Sequence, residues 1–125
     1  MNYNINTVLP YLKDLDKLNR LNTAELLELL AIYHLTKALS ARNAIVEYYL
    51  PMIPQLLYRY TGQGVPLPDL LQSANLKLIE VIDAVPNIAI SNLRGFIIRS
   101  VNNHILNMLR ANNTYNQLLS NIARQ

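Results

Sequence analysis

The chain has 125 residues, 51% of them hydrophobic and only 15% charged, enough for one domain with one core and too apolar for disorder throughout. It contains no cysteine, which excludes disulfides and thiolate metal sites and is compatible with a reducing cytoplasm. The net charge of +3 is unevenly placed: residues 1–83 hold seven Lys and Arg against all eight Asp and Glu, whereas residues 84–125 hold Arg94, Arg99, Arg110 and Arg124 and no acid. An acid-free, Asn-rich C-terminal third points to a polyanion partner on that side. Only three glycines and long stretches of helical periodicity predict an all-α domain, a compact helical bundle. No signal pattern opens the chain and no apolar run reaches membrane-spanning length. The expectation is a soluble, cytoplasmic protein with no membrane partner.

In chain order, Met1–Asn6 is polar and reads as a frayed end. From Thr7, TVLPYLKDLDKLNRL carries Leu9, Leu12, Leu15 and Leu18 at spacings of three, a short amphipathic helix with Pro10 tolerated in its first turn. Asn22 or Thr23 caps a second helix, with Glu25 and Glu28 suited to its positive end. That helix, TAELLELLAIYHLTKAL, is apolar on more than one side, which predicts a central place in the bundle. His34 within it reads as a buried or half-buried structural residue. His104 is the only other histidine, and no acidic ligand accompanies either at metal-binding spacing. Ser40 is expected to cap the next helix. Pro51 and Pro54 interrupt it, since each lacks an N–H and crowds the preceding turn. TGQG with VPLP reads as a stop and a short loop. Tyr48, Tyr49, Tyr58 and Tyr60 read as core and rim packing rather than as a base-stacking platform.

The stretch Asp69–Asp83, DLLQSANLKLIEVID, is the most sharply patterned. Stepped at the helical period, Leu70, Leu71, Ala74, Leu78, Val81 and Ile82 fall on one side, and Asp69, Gln72, Ser73, Lys77, Glu80 and Asp83 on the other. Leu76 lands in the middle of the polar side, the pattern of a docking surface with one apolar anchor. AVPNIAISN (Ala84–Asn92) is a connector. Pro86 ends any helix before it, and Ser91 or Asn92 caps the next. In the helix Leu93–Arg110, Ile97, Ile98, Val101, Ile105, Met108 and Leu109 share one side. Phe96, Arg99, Asn103, Asn107 and Arg110 fall within an arc of about 80°. Arginine pairs with phosphate or guanine and asparagine bonds bidentately to adenine, so this edge suits DNA. The closing ANNTYNQLLSNIARQ forms either helical turns around Leu118, Leu119 and Ile122 or a tail. There is no Gly-rich phosphate loop, no His/carboxylate metal set and no Ser/His/acid grouping. The chain is therefore expected not to be an enzyme and to need neither cofactor nor metal.

Three segments, in order and at family spacing, resemble region 2 of bacterial RNA polymerase sigma factors of the sigma-70 family. The first has Ala41, Arg42, Asn43, Val46, Glu47, Leu50 and Pro51, followed by Arg59, Tyr60, Gly62 and Gly64. The second, Val65–Asp83, keeps Asp69, Leu70, Gln72, Leu76 and Leu78 of the family pattern, with Ser73 for a Glu, Ala74 and Lys77 for glycines, and Val81 for an Ala. The third is similar to the extracytoplasmic-function type at Phe96, Ile97, Val101, Asn103 and Arg110, with Ser100 for an Ile and Asn107 for an Asp.

The resemblance implies a region 2-like domain over 41–110, an N-terminal helical extension over 1–40 and a tail or short helix over 111–125. It implies that Asp69, Gln72, Ser73, Leu76, Lys77 and Glu80 bind the coiled-coil clamp helices of the largest subunit of core RNA polymerase. It implies that Arg94, Phe96, Arg99, Asn103, Asn107 and Arg110 face promoter DNA, with Asn103 at the minus-ten element. Promoter-melting members offer aromatics to a flipped base near the start of this helix; here there is only Phe96. The family's second DNA-binding domain, a helix-turn-helix, is not expected in so short a chain, which would then take upstream recognition from a second protein. The function so implied is that of a sigma-like transcription initiation factor of a short, phage-type kind. The alternatives are a sigma mimic that binds or inhibits RNA polymerase without reading DNA, and an unrelated helical oligomerisation module.

Overall fold

The computed structural model describes residues 8–16, 21–84 and 90–124, and no strand occurs among the described residues. The helices are α1 (Leu9–Asp16), α2 (Thr23–Thr36), α3 (Leu39–Tyr49), α4 (Ile53–Leu57), α5 (Leu67–Ala84) and α6 (Ile90–Ala123). Short 3-10 turns over Leu50–Met52 and Tyr58–Tyr60 flank α4. The expected all-α bundle is what forms. The readings of Met1–Asn6, Leu18 and residues 85–89 fall outside the described residues. Among the described residues no helix is long and apolar enough to cross a membrane.

Local chemistry sets most of the boundaries. In α1, Pro10 occupies the first turn, Leu15 is buried and Leu12 half-buried. α2 opens on a reciprocal cap: the Glu25 N–H donates to Asn22 Oδ1 at 2.8 Å, and the Asn22 N–H donates to Glu25 Oε1 at 3.2 Å, which satisfies two otherwise orphaned donors. It ends at Lys37, which takes a left-handed conformation (φ 56°) and donates its N–H to the Tyr33 carbonyl at 2.8 Å. The next helix starts two residues earlier than Ser40 allows as a cap. Thr36 accepts the Ala38 N–H on its hydroxyl oxygen at 3.2 Å, the chain is extended at Ala38, and Ser40 lies inside α3. α6 likewise starts at Ile90, ahead of both Ser91 and Asn92. Pro51 and Pro54 each fall in the first turn of a new short helix, where a missing N–H is harmless. They break the path after α3 into the sequence 3-10, α4, 3-10. Gly64, at φ 108°, closes the loop before α5. A Cβ there would lie 2.9 Å from Asn112 Nδ2, which donates to the Gly64 carbonyl at 3.4 Å. The loop is thus held against the middle of α6 at a position only glycine occupies without strain.

The core lies between α3, α4, α5 and α6. Ile45, Ile53, Leu57, Leu70, Ala74, Leu78, Ile97, Val101 and Ile105 have no accessible surface. Tyr49 and Tyr60 are buried, and Tyr48 packs edge-on against Tyr49 at 4.9 Å between ring centres. Tyr58, by contrast, is exposed. The Tyr60 hydroxyl donates to Asn102 Oδ1 at 3.3 Å, tying the end of the α4 segment to α6.

α2 is peripheral rather than central. It packs on α3 and buries only Leu26 and Tyr33, while Leu27, Ile32 and Leu35 stay exposed, as does His34. A helix apolar all round does not specify its inward side, and packing chiefly on α3 covers only one side. What ties α2 down is polar. The Tyr33 hydroxyl donates to Asp83 Oδ1 at 2.6 Å, and Arg42 Nη1 reaches Asp83 Oδ2 at 3.5 Å. One carboxylate at the end of α5 thus joins α2 and α3. α1 is tied to α5 by Asn75, whose side-chain amide donates to the Tyr11 hydroxyl at 3.0 Å.

Two stability predictions follow from these contacts. Tyr33→Phe removes the donor to Asp83 and is expected to lower unfolding stability in urea by about 1.5 kcal/mol, the usual size for a hydrogen bond to a charged group. Burial pushes the Tyr49 phenol up to about 12, and donation to Asp83 followed by burial raises that of Tyr33. Unfolded tyrosines ionise near pH 10 and these two do not. Their contribution to stability is therefore full below pH 10 and is lost as pH rises through the raised values. Melting temperature is expected to fall between pH 10 and 12, and less steeply in Tyr49→Phe.

Candidate polymerase and promoter interface

Two exposed faces stand on the outside of the α5–α6 pair. On α5, Asp69, Gln72 and Glu80 are exposed and Lys77 is half-buried. Leu76 is 62% exposed. Gln72, Ser73 and Glu80 are its neighbours one turn away, so a large apolar side chain sits inside a polar surround. Its exposure follows from α5 burying the opposite stripe: Leu67, Leu70, Leu71, Ala74, Leu78, Val81 and Ile82. Lys77 Nζ and Glu80 Oε2 pair at 3.7 Å, with the Glu80 side chain 70% exposed; such a pair is screened by solvent and adds little to stability. Both charges remain available to a partner.

Ser73 differs from the other five in its partner. Half-buried like Lys77, it has its hydroxyl 2.7 Å from Nε2 of His104 on α6. It serves the helix–helix contact more than the outer face. His104 is adjacent in sequence to Asn103, so this one hydrogen bond joins the α5 set to the α6 set.

On α6, Arg99, Asn103, Asn107 and Arg110 are exposed and follow one another at spacings of three and four, which makes them one row on the helix surface. Arg110 Nη1 reaches Asn107 Oδ1 at 3.5 Å. The row has no acid within it, so nothing repels a phosphate. Two members of the predicted set stand apart. Phe96 is half-buried against the core, so its ring is only partly offered to solvent. Arg94 is exposed but about 140° round the helix from Arg99. There its charge is felt by the Tyr49 phenol, which it pulls down against the larger effect of burial.

The Ser73–His104 and Tyr33–Asp83–Arg42 contacts escape a reading of the sequence. Each joins residues at least 31 positions apart, and neither element's own periodicity points to the other. The course of α6 past Arg110 is settled as helix to Ala123. The absence of Gly and Pro from residues 96–125 is the signal in the sequence for it.

A family model described as Sigma-70 region 2 matches residues 45–115. No solved structure matches the chain. The matched span contains the second half of α3, from Ile45, all of α4 and α5, and α6 as far as Tyr115, so both exposed faces lie within it. The chain belongs to the sigma-70 region 2 family.

Proposed function

We propose that the chain is a sigma-like transcription initiation factor, a binding protein rather than a catalyst. The outer face of α5 docks on the clamp coiled coil of the largest subunit of core RNA polymerase, and the Arg99–Arg110 row of α6 faces the minus-ten promoter element. The observation that carries this reading is the family match over residues 45–115, which spans both faces. The physics of the faces supports the division of labour. Leu76, ringed by Asp69, Gln72, Lys77 and Glu80, has the make-up of an interface anchor: an apolar group that is dehydrated on contact, inside a polar rim that sets orientation. The α6 row has the make-up of a nucleic-acid face: guanidinium groups for phosphate or guanine and amides for adenine.

One observation favours a second reading, a sigma mimic that occupies the polymerase without reading DNA. Phe96 is the only aromatic near the start of α6, and it is half-buried against the core. A flipped base needs an exposed aromatic or apolar surface to stack on.

The two readings separate in one pair of experiments. Wild type is expected to capture bacterial core RNA polymerase, and Leu76→Asp to capture it at least about tenfold more weakly, because a carboxylate would be dehydrated without a partner. Equal capture by the two proteins would sink the docking face. The double variant Arg99→Ala, Asn103→Ala is expected to keep polymerase capture and lose promoter-dependent transcription. Full inhibition of transcription by the wild type, unchanged in the double variant, would favour the mimic.

A further inference from the structure

α6 is longer than the bundle it packs on. Its buried line runs through Leu93, Ile97, Val101, Ile105 and Leu109. From Asn113 to Arg124 every side chain is exposed, so the last three turns stand clear of the other helices. Most of this overhang lies past residue 115, where the family match ends. The row on α6 does not end there. Arg99, Asn103, Asn107 and Arg110 are followed at the same spacing by Thr114, Gln117 and Asn121 and, in the turn just past the end of α6, by Arg124, all exposed. Stepped at the helical period, the seven within α6 fall within an arc of about 80° and span roughly 33 Å along the axis. Every one of them donates hydrogen bonds, none is acidic, and α6 as a whole contains no Asp or Glu. An apolar ridge of Tyr115, Leu118, Leu119 and Ile122 occupies the neighbouring face and does not interrupt the row.

We propose that the overhang extends the DNA contact, with Thr114, Gln117, Asn121 and Arg124 lying along the phosphate backbone of the double-stranded DNA that adjoins the segment faced by Arg99–Arg110. This rests on the reading of α6 as the promoter face. Three arguments carry it. α6 runs without a break, so, with its last turns formed, whatever lies along the first half of the row continues, over roughly a further 20 Å, beside the second half. Amides, hydroxyls and a guanidinium are the groups that hold phosphate and sugar, and an acid-free helix approaches them without repulsion. The row itself holds no aromatic between Arg99 and Arg124, so it suits the outside of a duplex rather than unpaired bases, which need stacking surfaces. Contacts of this kind position a protein without reading sequence, and so they are expected to add affinity equally on every promoter.

The test is the binding of promoter duplexes by the full chain assembled with core RNA polymerase, followed by fluorescence anisotropy at several salt concentrations. Arg124→Ala is expected to weaken binding by about three- to tenfold on all sequences and to reduce the steepness of the salt dependence by about one unit, the signature of one lost phosphate contact. Shortening the duplex from the end nearest the overhang is expected to reproduce that loss in wild type and to add nothing in Arg124→Ala. Wild-type binding by Arg124→Ala, with an unchanged salt slope and with Arg99→Ala weakened, overturns the proposal and leaves the promoter face standing. Wild-type binding by both variants overturns the promoter face and the proposal with it. If Arg124→Ala is silent and Leu118→Asp instead releases a protein from the complex, the overhang is a protein contact and the proposal is wrong.

Discussion

The structure depends first on the apolar seam between α5 and α6. Leu70, Ala74 and Leu78 from one helix and Ile97, Val101 and Ile105 from the other are completely buried. Burying a large aliphatic side chain stabilises by about 1.5–3 kcal/mol, so this seam is a substantial share of what holds a domain of this size together. It also sets geometry. A helix that buries one stripe has no freedom in what it presents on the opposite side. The exposure of Leu76 and the exposure of the Arg99–Arg110 row are therefore two outcomes of one packing arrangement. The bond between Ser73 and His104 sits beside that seam and opposes rotation of either helix about its own axis.

How much of this was legible in the sequence varied with how local the cause was. α5 is legible over Asp69–Asp83, because its apolar stripe and its polar side repeat cleanly there; the helix extends two residues further back, to Leu67, and one further on, to Ala84. The cap at Asn22 and the breaks at Pro51 and Pro54 were legible because each depends on a few adjacent residues. α2 is the exception: a stretch such as Leu26–Ile32 is apolar enough to be central, and only its packing chiefly on α3, among the described residues, makes it peripheral. Residue type alone favours Ser40 as a cap, but the residue that closes the turn is Thr36, four positions earlier. The faces follow the same division. The α5 face and the α6 row are periodic and could be read along one helix. That Ser73 turns to His104 and that Arg94 stands away from the row depend on where a second helix lies.

The periphery is held by different means from the centre. α2 brings two buried side chains to the bundle and one strong polar tie, the Tyr33 hydroxyl on the Asp83 carboxylate. Because Arg42 shares that carboxylate, α2 and α3 meet the end of α5 at a single group. The last residues of α5 are thus constrained from the side of the N-terminal helices, while its middle is constrained by α6. The exposed face around Leu76 lies on a helix held at its middle and at its C-terminal end.

The overhang of α6 has a thermodynamic consequence. Between Arg110 and Arg124 there is no charged residue, so no ion pairs one turn apart support it, and asparagine, serine and threonine there are among the weaker helix formers. With no neighbour among the described residues to bury its apolar ridge, this segment depends on intrinsic helix–coil balance, which is marginal for a length of three turns. Its amides should therefore exchange with solvent far faster than those of the buried half of the same helix, although no break in hydrogen bonding separates the two. Any contact that orders it must supply the ordering free energy from its own interaction, so helix formation and association in this part of the molecule are a single coupled equilibrium.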